Sequence, residues 1–405
     1  MPEQHRPVLG VEEALYRILA VAHVLEPERA PLLQAAERVL AEEVVADRDI
    51  PPLTNAAMDG YAVRGSDVAE APSRLRVIDE VGAGHLPEKP VGPGKAVRIM
   101  TGAPIPNGAD TVVRFEDTRE DGEWVHVTEA YETSKNVRTA GEDVRAGQAV
   151  LPPGTVLRPQ EIGMLAAVGR TEVAVVQRPR VAILATGDEV VPPDRTPGPG
   201  QIRDANSYAV AAQVQAFGGV PILLGVARDR EELVRRGIQE ALDRGADLII
   251  TSGGVSVGDF DLVKQVLAAE GEMHFWSLNM KPGRPLAFGV VSGVPLLGLP
   301  GNPVAAMIST ELFARPALLK MQGFGEWARP TVRARLIEPI ERKDGRRHYL
   351  RVVLQESETG YKATLTGDQG SGILNSLVQA DGLAIIPEEA RHLPAGTEVQ
   401  VLLLK

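Results

Sequence analysis

The chain is organised around a glycine-rich stretch, Thr251-Ser-Gly-Gly-Val-Ser-Val-Gly-Asp-Phe-Asp261, which follows an apolar run and precedes a helical pattern. A strand, a glycine turn and a helix form the mouth of an α/β sheet, where the first helix amides are unpaired and favour an anion. Gly253 and Gly254 permit close approach of a ligand, and Asp259 and Asp261 add carboxylates that suit Mg²⁺. The stretch alone fits either a ligand site or a tight turn with Asp259 as the helix N-cap.

The residues around this stretch alternate between strand and helix patterns. The continuous apolar run at 181–186 is typical of a strand buried in a parallel sheet. Asn302 and Pro303 have the residue types of an N-cap and a first helical position. The predicted elements are strands at 181–186, 220–226 and 247–251, helices at 205–217, 231–244 and 260–270, and a helix from 302. They predict a three-layer α/β domain over 177–326.

The loops at the carboxyl ends of these strands are rich in glycine, proline and acids. Ligands of open α/β sheets bind outside those strand ends, so the loops predict a ligand site. Single acids are more often caps, and Asp229 and Glu232 have the spacing of a capping box. The candidate residues on these loops are Thr186, Gly187, Glu189, Asp229, Ser252, Gly253, Gly254 and Asp261.

A second candidate anion site is the turn Met280-Lys-Pro-Gly-Arg-Pro285. Two prolines and a glycine restrict this turn, and Lys281 and Arg284 give it two cations. Phosphate capture by these two side chains is the predicted role.

The N-terminal half is predicted to contain two helices and a small β domain. The helices are predicted at 11–25 and from about Pro31, and short β-rich runs separated by Gly and Pro follow over 47–140. Two loops, 51–61 and 100–108, are stiffened by proline, and loops on a rigid scaffold often carry function. Asp59 precedes a glycine, so the sequence alone favours a structural turn for it.

Two further regions complete the chain. Residues 136–144 group Arg138, Glu142 and Asp143 around a glycine, which alone reads as a solvated charged turn. A helical run at 160–168 suggests that the chain then returns to the N-terminal helices, with the β domain as an insertion. Short β runs over 327–405 predict a small barrel or sandwich, with a glycine-rich polar loop at 366–372.

Composition limits the possible chemistry. The 405 residues carry a net charge of −11, which argues against general binding to nucleic acid or anionic membranes. The chain has no cysteine, which excludes disulfides, thiolate nucleophiles and cysteine-ligated metals. No signal-like or membrane-length apolar run occurs, so the expected location is the cytoplasm. With acids, cations and no evident nucleophile, metal-assisted phosphoryl or adenylyl chemistry is the best physical class.

An ordered set of motifs resembles the molybdopterin molybdenumtransferase family, which includes the E domain of gephyrin. The motifs run in the family's order across nearly the whole chain. They are AMDGYA (57–62), TGAPIP (101–106), GEDV (141–144), TGDEVV (186–191), TSGGVSVGDFD (251–261), KPGRP (281–285), GLPGNP (298–303) and the GSG loop near Ser371.

The resemblance implies a multidomain α/β protein and an elongated homodimer. The implied domains are a helical linker (1–46 with 141–176), an inserted β domain (47–140), the α/β molybdopterin-binding domain (177–326) and a C-terminal β barrel (327–405). It further implies that the α/β domain of one subunit faces the inserted β domain of the other, which gives a composite active site.

The implied reaction takes molybdate and adenylylated molybdopterin and, with Mg²⁺, leaves molybdenum on the dithiolene and releases AMP. By motif position, the implied catalytic residues are Asp59, Thr101, Asp143, Glu189, Asp229 and Asp261. Of these, Glu189, Asp229 and Asp261 handle Mg²⁺ and the adenylate. The implied substrate-binding residues are Arg138, Lys281, Arg284, Pro300, Pro303 and Ser371, beside the candidate strand-end loops.

Two departures and three alternatives accompany the resemblance. Ser277 stands where some members have lysine, and Arg284 stands where lysine is frequent; arginine and lysine bind phosphate with different geometry. Tungstate could replace molybdate, because the two oxyanions are alike in size and charge. A non-catalytic molybdopterin-binding scaffold and a competence-damage-type pyrophosphatase are the rival classes. A separate adenylyltransferase is a possible partner.

Overall fold

A computed structural model of the chain describes residues 8–253, 262–358 and 360–405. The predicted site residues Gly254 and Asp261 lie outside these ranges. The chain forms two compact units, one made of the residues up to Arg29 with Ala174–Lys405 and the other of Ala30–Val173. The finer division into four domains stays a prediction.

A six-stranded sheet forms the centre of the first unit. Five strands run in the same direction, and Pro285–Val291 runs antiparallel to its two neighbours. In order across the sheet they are Val220–Ala227, Arg180–Thr186, Leu248–Ser252, Val294–Leu299, Pro285–Val291 and Gly271–Ser277.

The apolar residues of the central strands alternate between two cores, which produces three layers. Val181 and Ile183 face a cluster that contains Val210 of the helix Asn206–Ala216. The intervening Ala182 and Leu184 belong to a second cluster, with residues of the helices Glu231–Asp243 and Leu262–Glu270. A strand that is apolar at every position is therefore buried on both faces, as the sequence predicts. The three-layer α/β prediction is confirmed.

The sheet has a topological switch point. The chain leaves Arg180–Thr186 for Val220–Ala227 on one side, and then crosses to Leu248–Ser252 on the other side. The connections after these first two strands therefore run in opposite directions, which opens a crevice at their carboxyl ends. Thr186 and Ser252 stand at this edge.

The N-terminal helix Val11–Val21 contributes to the same core. Ala14 and Ile18 are buried in the cluster with Val181 and Ile183. This part of the chain therefore packs in the unit that holds the α/β sheet, whereas the resemblance implies a linker domain for residues 1–46.

The predicted helix from Pro31 is wrong beyond its first turn. Only Leu32–Ala35 is helical, and Glu37 adopts a φ of 62°. The next residues bond to an extended segment instead, since the Leu40 N–H donates to the Thr155 carbonyl at 2.8 Å. Long-range backbone pairing has overridden the helical spacing of the apolar residues.

A second six-stranded sheet dominates Ala30–Val173. In order across it the strands are Thr111–Arg114, Gly60–Val63, Lys95–Ile99, Ser73–Val81, Trp124–Val127 and Thr118–Asp121. Its apolar residues lie in two clusters, one around Tyr61 and one around Ile99. Two short pairs, Asn55–Ala56 with Val137–Arg138 and Val44–Val45 with Ala149–Leu151, and the helix Pro159–Ala167 complete the unit.

The C-terminal region is a closed five-stranded barrel, which settles the choice between barrel and sandwich. The strands run in the order Arg347–Ser357, Gly360–Leu365, Thr331–Leu336, Glu398–Leu403 and Gly382–Ile386, and the last pairs again with the first. Met280–Lys281, which lies in the connection between two strands of the α/β sheet, Gly271–Ser277 and Pro285–Val291, adds to Arg347–Ser357 as a short parallel strand. Tyr349 and Leu383 of the barrel lie in the core cluster of the α/β sheet.

The remaining elements are short or lie at the edges of these layers. The other helices are Pro303–Ser309, Arg315–Met321 and Asn375–Gln379, with short helical turns at Gly65–Asp67, Phe115–Asp117 and Thr310–Ala314. The other strands are Pro27–Pro31, Glu172–Val176, Val190–Val191, Ile202–Arg203, Ile340–Glu341 and His392–Leu393. Within the described ranges, none of the helices has the length and apolar character needed to span a membrane.

A buried ion cluster supports the helical layer of the first unit. Glu311, whose side chain is 4% exposed, accepts a hydrogen bond from Arg329 at 2.7 Å and lies 3.6 Å from Arg315. The substitution Glu311→Gln leaves two cations near a single neutral amide. We expect it to lower the free energy of unfolding by about 3 kcal/mol.

The matched control is Glu13→Gln, which breaks an exposed pair with Arg17 of similar length, 2.8 Å. It should cost less than about 1 kcal/mol. Urea unfolding of both variants makes the comparison, and equal costs would contradict the structural role of Glu311.

Candidate functional site

The switch point of the α/β sheet is lined by hydroxyl and amide groups. The Thr186 hydroxyl donates to the Ser252 carbonyl at 3.4 Å, and the Gly253 N–H donates to Leu299 at 3.1 Å. Gly253 has a φ of 93°, and a Cβ there would lie 2.5 Å from the Thr186 carbonyl oxygen. Only glycine fits this close approach of two strand ends. The Gly187 N–H is bound to the Ala227 carbonyl at 3.2 Å.

Asn206 is a residue of this edge that the sequence reading missed. It begins the helix Asn206–Ala216, and its side-chain amide donates to the Ser252 hydroxyl at 2.7 Å and to the Gly301 carbonyl at 2.8 Å. An Asn at a helix start usually reads as a cap. Here Asp204 caps the helix by accepting the Ser207 N–H at 3.0 Å, so Asn206 is free to join two loops.

Three acids lie on the loops that adjoin the switch point. Burial raises the pKa of Asp229, and the negative charges of Asp188 and Glu189 raise it further. The predicted capping box is wrong, because the helix Glu231–Asp243 has Arg230 at its N-cap and no side-chain cap bond. The Asp229 carboxylate is therefore not used to cap the helix.

The acids do not by themselves complete a metal site. Within 8–253, 262–358 and 360–405, no group of three or more acidic or histidine side chains is arranged to hold a metal ion. Glu189 and Asp229 need a further ligand, and the predicted one, Asp261, lies outside these ranges. The mutual repulsion of the three acids suits a cation.

The two cations of the second candidate site line a cavity of about 720 Å³. The α/β domain contributes Lys281, Arg284 and Pro300 to its wall, and the barrel region contributes Ser371. Four residues that the sequence predicted from three separate motifs thus meet in one cavity. Pro303, predicted with them, begins the helix Pro303–Ser309 that follows this wall.

Backbone geometry fixes the turn that carries Lys281. Gly283 has a φ of 103°, and a Cβ there would lie 2.9 Å from the Ser309 hydroxyl oxygen. The turn is also tied to the barrel, since Lys281 is in register with His348 and the Arg347 N–H donates to Asn279 at 3.1 Å.

The loop around Ser371 is held from both sides. The Asn302 side-chain amide donates to the Ser371 hydroxyl at 2.9 Å. Asn302 therefore occupies the predicted N-cap position of Pro303–Ser309, but its side chain makes no cap bond to that helix. Arg351, fully buried in the barrel, donates to the Gly370 carbonyl at 3.0 Å and to the Ser376 hydroxyl at 2.9 Å. Asn302 and Arg351 were both missed as site residues, because their partners are distant in sequence.

A histidine and an aspartate lie beside Lys281. The His348 ring nitrogen Nε2 is 2.9 Å from an Asp344 oxygen, and the Lys281 ammonium is 3.7 Å from the same carboxyl group. Burial lowers the pKa of His348, although the bond to Asp344 opposes that effect. Asp344 partly neutralises Lys281, whose side chain is still 55% exposed.

In the second unit, the structure brings Asp59 and Thr101 into direct contact. One oxygen of Asp59 accepts the Thr101 N–H and the Thr101 hydroxyl, both at 2.7 Å. These two bonds, the backbone one being the larger, lower the pKa of Asp59. Asp59 is exposed, so it is an ionised carboxylate held in one orientation and open to solvent.

Backbone pairing brings the other predicted residues of this unit near the same loop. Arg138 is in register with Asn55, and the Asp143 N–H donates to Ile50 at 3.1 Å. Arg138 lies 3.9 Å from Glu142, which makes a weak ion pair, and the Asp143 side chain is exposed. Hydrogen bonds therefore connect the loops of Asp59, Thr101 and Arg138 within this unit.

The geometry of the first unit defines a class of protein. Hydroxyls, amides and acids gather at the switch point, cations gather in the cavity, and the loop 299–303 borders both. Such an edge can bind a phosphate-bearing ligand or an oxyanion. The fold is that of a multidomain α/β protein, and its site has the chemistry to bind an anionic small molecule.

Comparison with known families identifies the particular group. Residues 9–169 match the MoeA N-terminal region (domains I and II), 182–320 match a probable molybdopterin binding domain and 333–404 match the MoeA C-terminal region (domain IV). The chain is 39% identical over 389 residues to a molybdopterin molybdenumtransferase of Nostoc sp., covering 94% of this chain and 89% of the relative. It is 36% identical to molybdopterin molybdenumtransferase 2 of Mycobacterium tuberculosis, covering 97% and 98%.

Solved structures show the same fold. Two structures of the molybdopterin biosynthesis moeA protein of Pyrococcus horikoshii superpose with TM-scores of 0.84 and 0.81, at 33% identity, and each match covers 98% of this chain and 100% of the other. The chain belongs to the molybdopterin molybdenumtransferase family and is an enzyme of that family. The resemblance and the fold class predicted from the motifs are confirmed.

The contact between Thr101 and Asp59 generates a direct test. In Thr101→Val the hydroxyl bond is lost and the backbone bond stays, so the pKa of Asp59 should rise towards its ordinary value without reaching it. Thr101→Ser keeps the hydroxyl and should leave the pKa low. Carboxyl ¹³C NMR titration measures both, and an unchanged pKa in Thr101→Val would rule out the hydroxyl contribution.

Proposed function

We propose that the protein transfers molybdenum from molybdate to adenylylated molybdopterin, with release of AMP and formation of molybdenum cofactor. Family membership supports the coarser statement that the protein acts in molybdenum cofactor biosynthesis. The observation that carries the finer proposal is the cavity that gathers Lys281, Arg284 and Ser371 beside the switch point. An oxyanion and a phosphate-linked pterin both need cations and amides, which this edge supplies.

Each group at the edge has a proposed task. Lys281, Arg284 and Ser371 bind molybdate or phosphate oxygens, and Pro300 and Pro303 shape the wall behind them. Thr186, Gly187, Ser252 and Gly253 form the proposed floor on which the pterin substrate lies, and Gly254, outside the described residues, keeps its predicted role in substrate binding. Since the chain has no cysteine, the sulfurs that receive molybdenum belong to the pterin.

Glu189, Asp229 and Asp261 are the proposed ligands of Mg²⁺. When bound, Mg²⁺ would neutralise charge on the phosphates of the adenylate. Burial raises the pKa of Asp229 and the negative charges of Asp188 and Glu189 raise it further, and a bound cation would offset both effects. The protein's own contribution is to hold Glu189 and Asp229 on loops at the strand ends.

Asp59, Thr101 and Asp143 are proposed to act on the metal-insertion side, and Arg138 of the same region is proposed to bind phosphate or molybdate oxygens. In this proposal they come from the partner subunit of a homodimer, and the reaction takes place in the cytoplasm. The Thr101 bonds support the role of Asp59, because they keep its carboxylate ionised and oriented. A separate adenylyltransferase would supply the substrate.

The first test is AMP release by the purified protein with adenylylated molybdopterin, Mg²⁺ and molybdate. We expect release that depends on molybdate and falls at least about tenfold in Lys281→Gln, because one charge-assisted contact is lost. Lys362→Gln, an exposed barrel position, is the control and should be unchanged.

The alternative is a molybdopterin-binding scaffold without catalysis. It predicts tight binding of the pterin without AMP release. Absence of both binding and AMP release would contradict both assignments.

The composite site has its own test, in which Asp59→Ala and Glu189→Gln chains are co-expressed. Each variant alone should be inactive. If one site takes Asp59 and Glu189 from different subunits, mixed dimers carry one intact site, and the mixture should recover about a quarter of wild-type activity. A site built within one chain predicts no recovery, which would overturn the composite arrangement.

A further inference from the structure

The turn that connects to the barrel strand Arg347–Ser357 carries four basic residues, and their environments differ. Arg342 is buried and donates to the carbonyls of Ala390, at 3.1 Å, and Arg346, at 2.5 Å. Arg347 is paired with Glu388, at 3.2 Å, and with Glu12. The guanidinium groups of Arg342 and Arg347 therefore already have partners within the protein.

The other two cations are Lys343 and Arg346. Lys343 is exposed, whereas Arg346 is half-buried and lines the 720 Å³ cavity that also contains Lys281. Across the part of the chain that the structure describes, the Arg346 guanidinium has no hydrogen-bond or ion-pair partner. A guanidinium that is half-buried in a cavity without a counterion is suited to an anionic ligand.

The backbone around Arg346 is fixed on both sides. Its carbonyl accepts from Arg342, and its N–H is bound by the Asp344 carboxylate. The adjoining Gly345 carbonyl accepts from Asn279 at 3.3 Å, and Arg347 is held by its ion pairs. Only the side chain of Arg346 remains to be ordered by a ligand, which lowers the entropy cost of binding.

Cationic side chains outnumber the acids at the cavity. Glu341 pairs with His392 at 2.5 Å, Asp368 accepts the Gly370 N–H at 2.8 Å, and Asp344 lies 3.7 Å from Lys281. The wall of the cavity carries five cationic side chains, Lys281, Arg284, Arg342, Arg346 and Arg351, which leave it net positive in a chain of net charge −11.

The size of the cavity also bears on its ligand. A volume of about 720 Å³ is in the range of sites for ligands much larger than one tetrahedral oxyanion. The cavity has room for molybdate together with the phosphate end of a pterin.

We propose that Arg346 is a further oxyanion-binding residue of this cavity, contacting either molybdate or a phosphate group of the pterin substrate. The inference rests on the proposed function, since the choice between the two oxyanions assumes that reaction. Lys281 and Arg284 hold the anion from the α/β side, and Arg346 holds it from the barrel side.

The experiment compares Arg346→Gln with Lys343→Gln, which makes the same change of charge in the same turn but outside the cavity. Calorimetric titration with sodium molybdate gives the Kd for the free oxyanion. AMP release at saturating molybdate, with varied adenylylated molybdopterin, gives KM and kcat for the pterin. Arg346→Lys tests whether charge alone suffices, and thermal unfolding checks that every variant is folded.

We expect Arg346→Gln to raise either the molybdate Kd or the pterin KM about tenfold or more, with kcat changed much less. A changed Kd assigns Arg346 to molybdate, and a changed KM alone assigns it to the phosphate. Lys343→Gln should stay within about twofold of wild type, since it lies outside the cavity.

An Arg346→Gln protein that matches wild type in both assays would overturn the inference, as would equal effects of the two Gln variants. If the wild-type protein releases no AMP, the proposed function fails, while the molybdate titration still tests Arg346. A wild-type protein that neither binds molybdate nor releases AMP would overturn both.

Discussion

The short parallel pairing of Met280–Lys281 with the barrel strand Arg347–Ser357 is the constraint on which the cavity depends. It places the α/β turn with its two cations beside the Arg346 turn and opposite the Ser371 loop. The pairing is supported by a shared core, in which Tyr349 and Leu383 of the barrel pack with Phe288 of the sheet. Barrel and sheet thus form one wall, and the cations need no induced movement to converge.

The chemistry of the first unit follows from the switch point of its sheet, where successive chain connections run in opposite directions. Strand ends bring hydroxyls and amides to the switch point, and the loops of Glu189 and Asp229 add carboxylates. The cavity beside it has the opposite character. A substrate that carries phosphates could lie across this boundary, with its metal-neutralised end by the acids and its oxyanion end by the cations. The separation of charge is a property of the fold, because Asn206 and Asn302 join the loops that border both regions.

Local sequence patterns predicted the features that depend on local physics. Strands apolar at every position, such as 181–186, and the helices that follow them in the α/β domain were correct to within a few residues, although the predicted capping box was wrong. The predicted helix from Pro31 was wrong because residues 37–40 form backbone hydrogen bonds with residues 155–157, which the helical spacing of the apolar residues does not reveal. Asn206, Arg351 and Arg346 were missed for a related reason. Each has partners or cavity neighbours far away in sequence, and nothing in their local context distinguishes them from other surface amides and cations.

Locating bound molybdenum in a crystal would test the oxyanion cavity most directly. A crystal soaked in molybdate, with data collected near the molybdenum absorption edge, would reveal the metal by anomalous scattering. The account predicts one dominant peak in the cavity, within hydrogen-bond reach of Lys281, Arg284 and Ser371. A dominant peak elsewhere, or none in this cavity at saturating molybdate, would contradict the claim that barrel and sheet together build the oxyanion site.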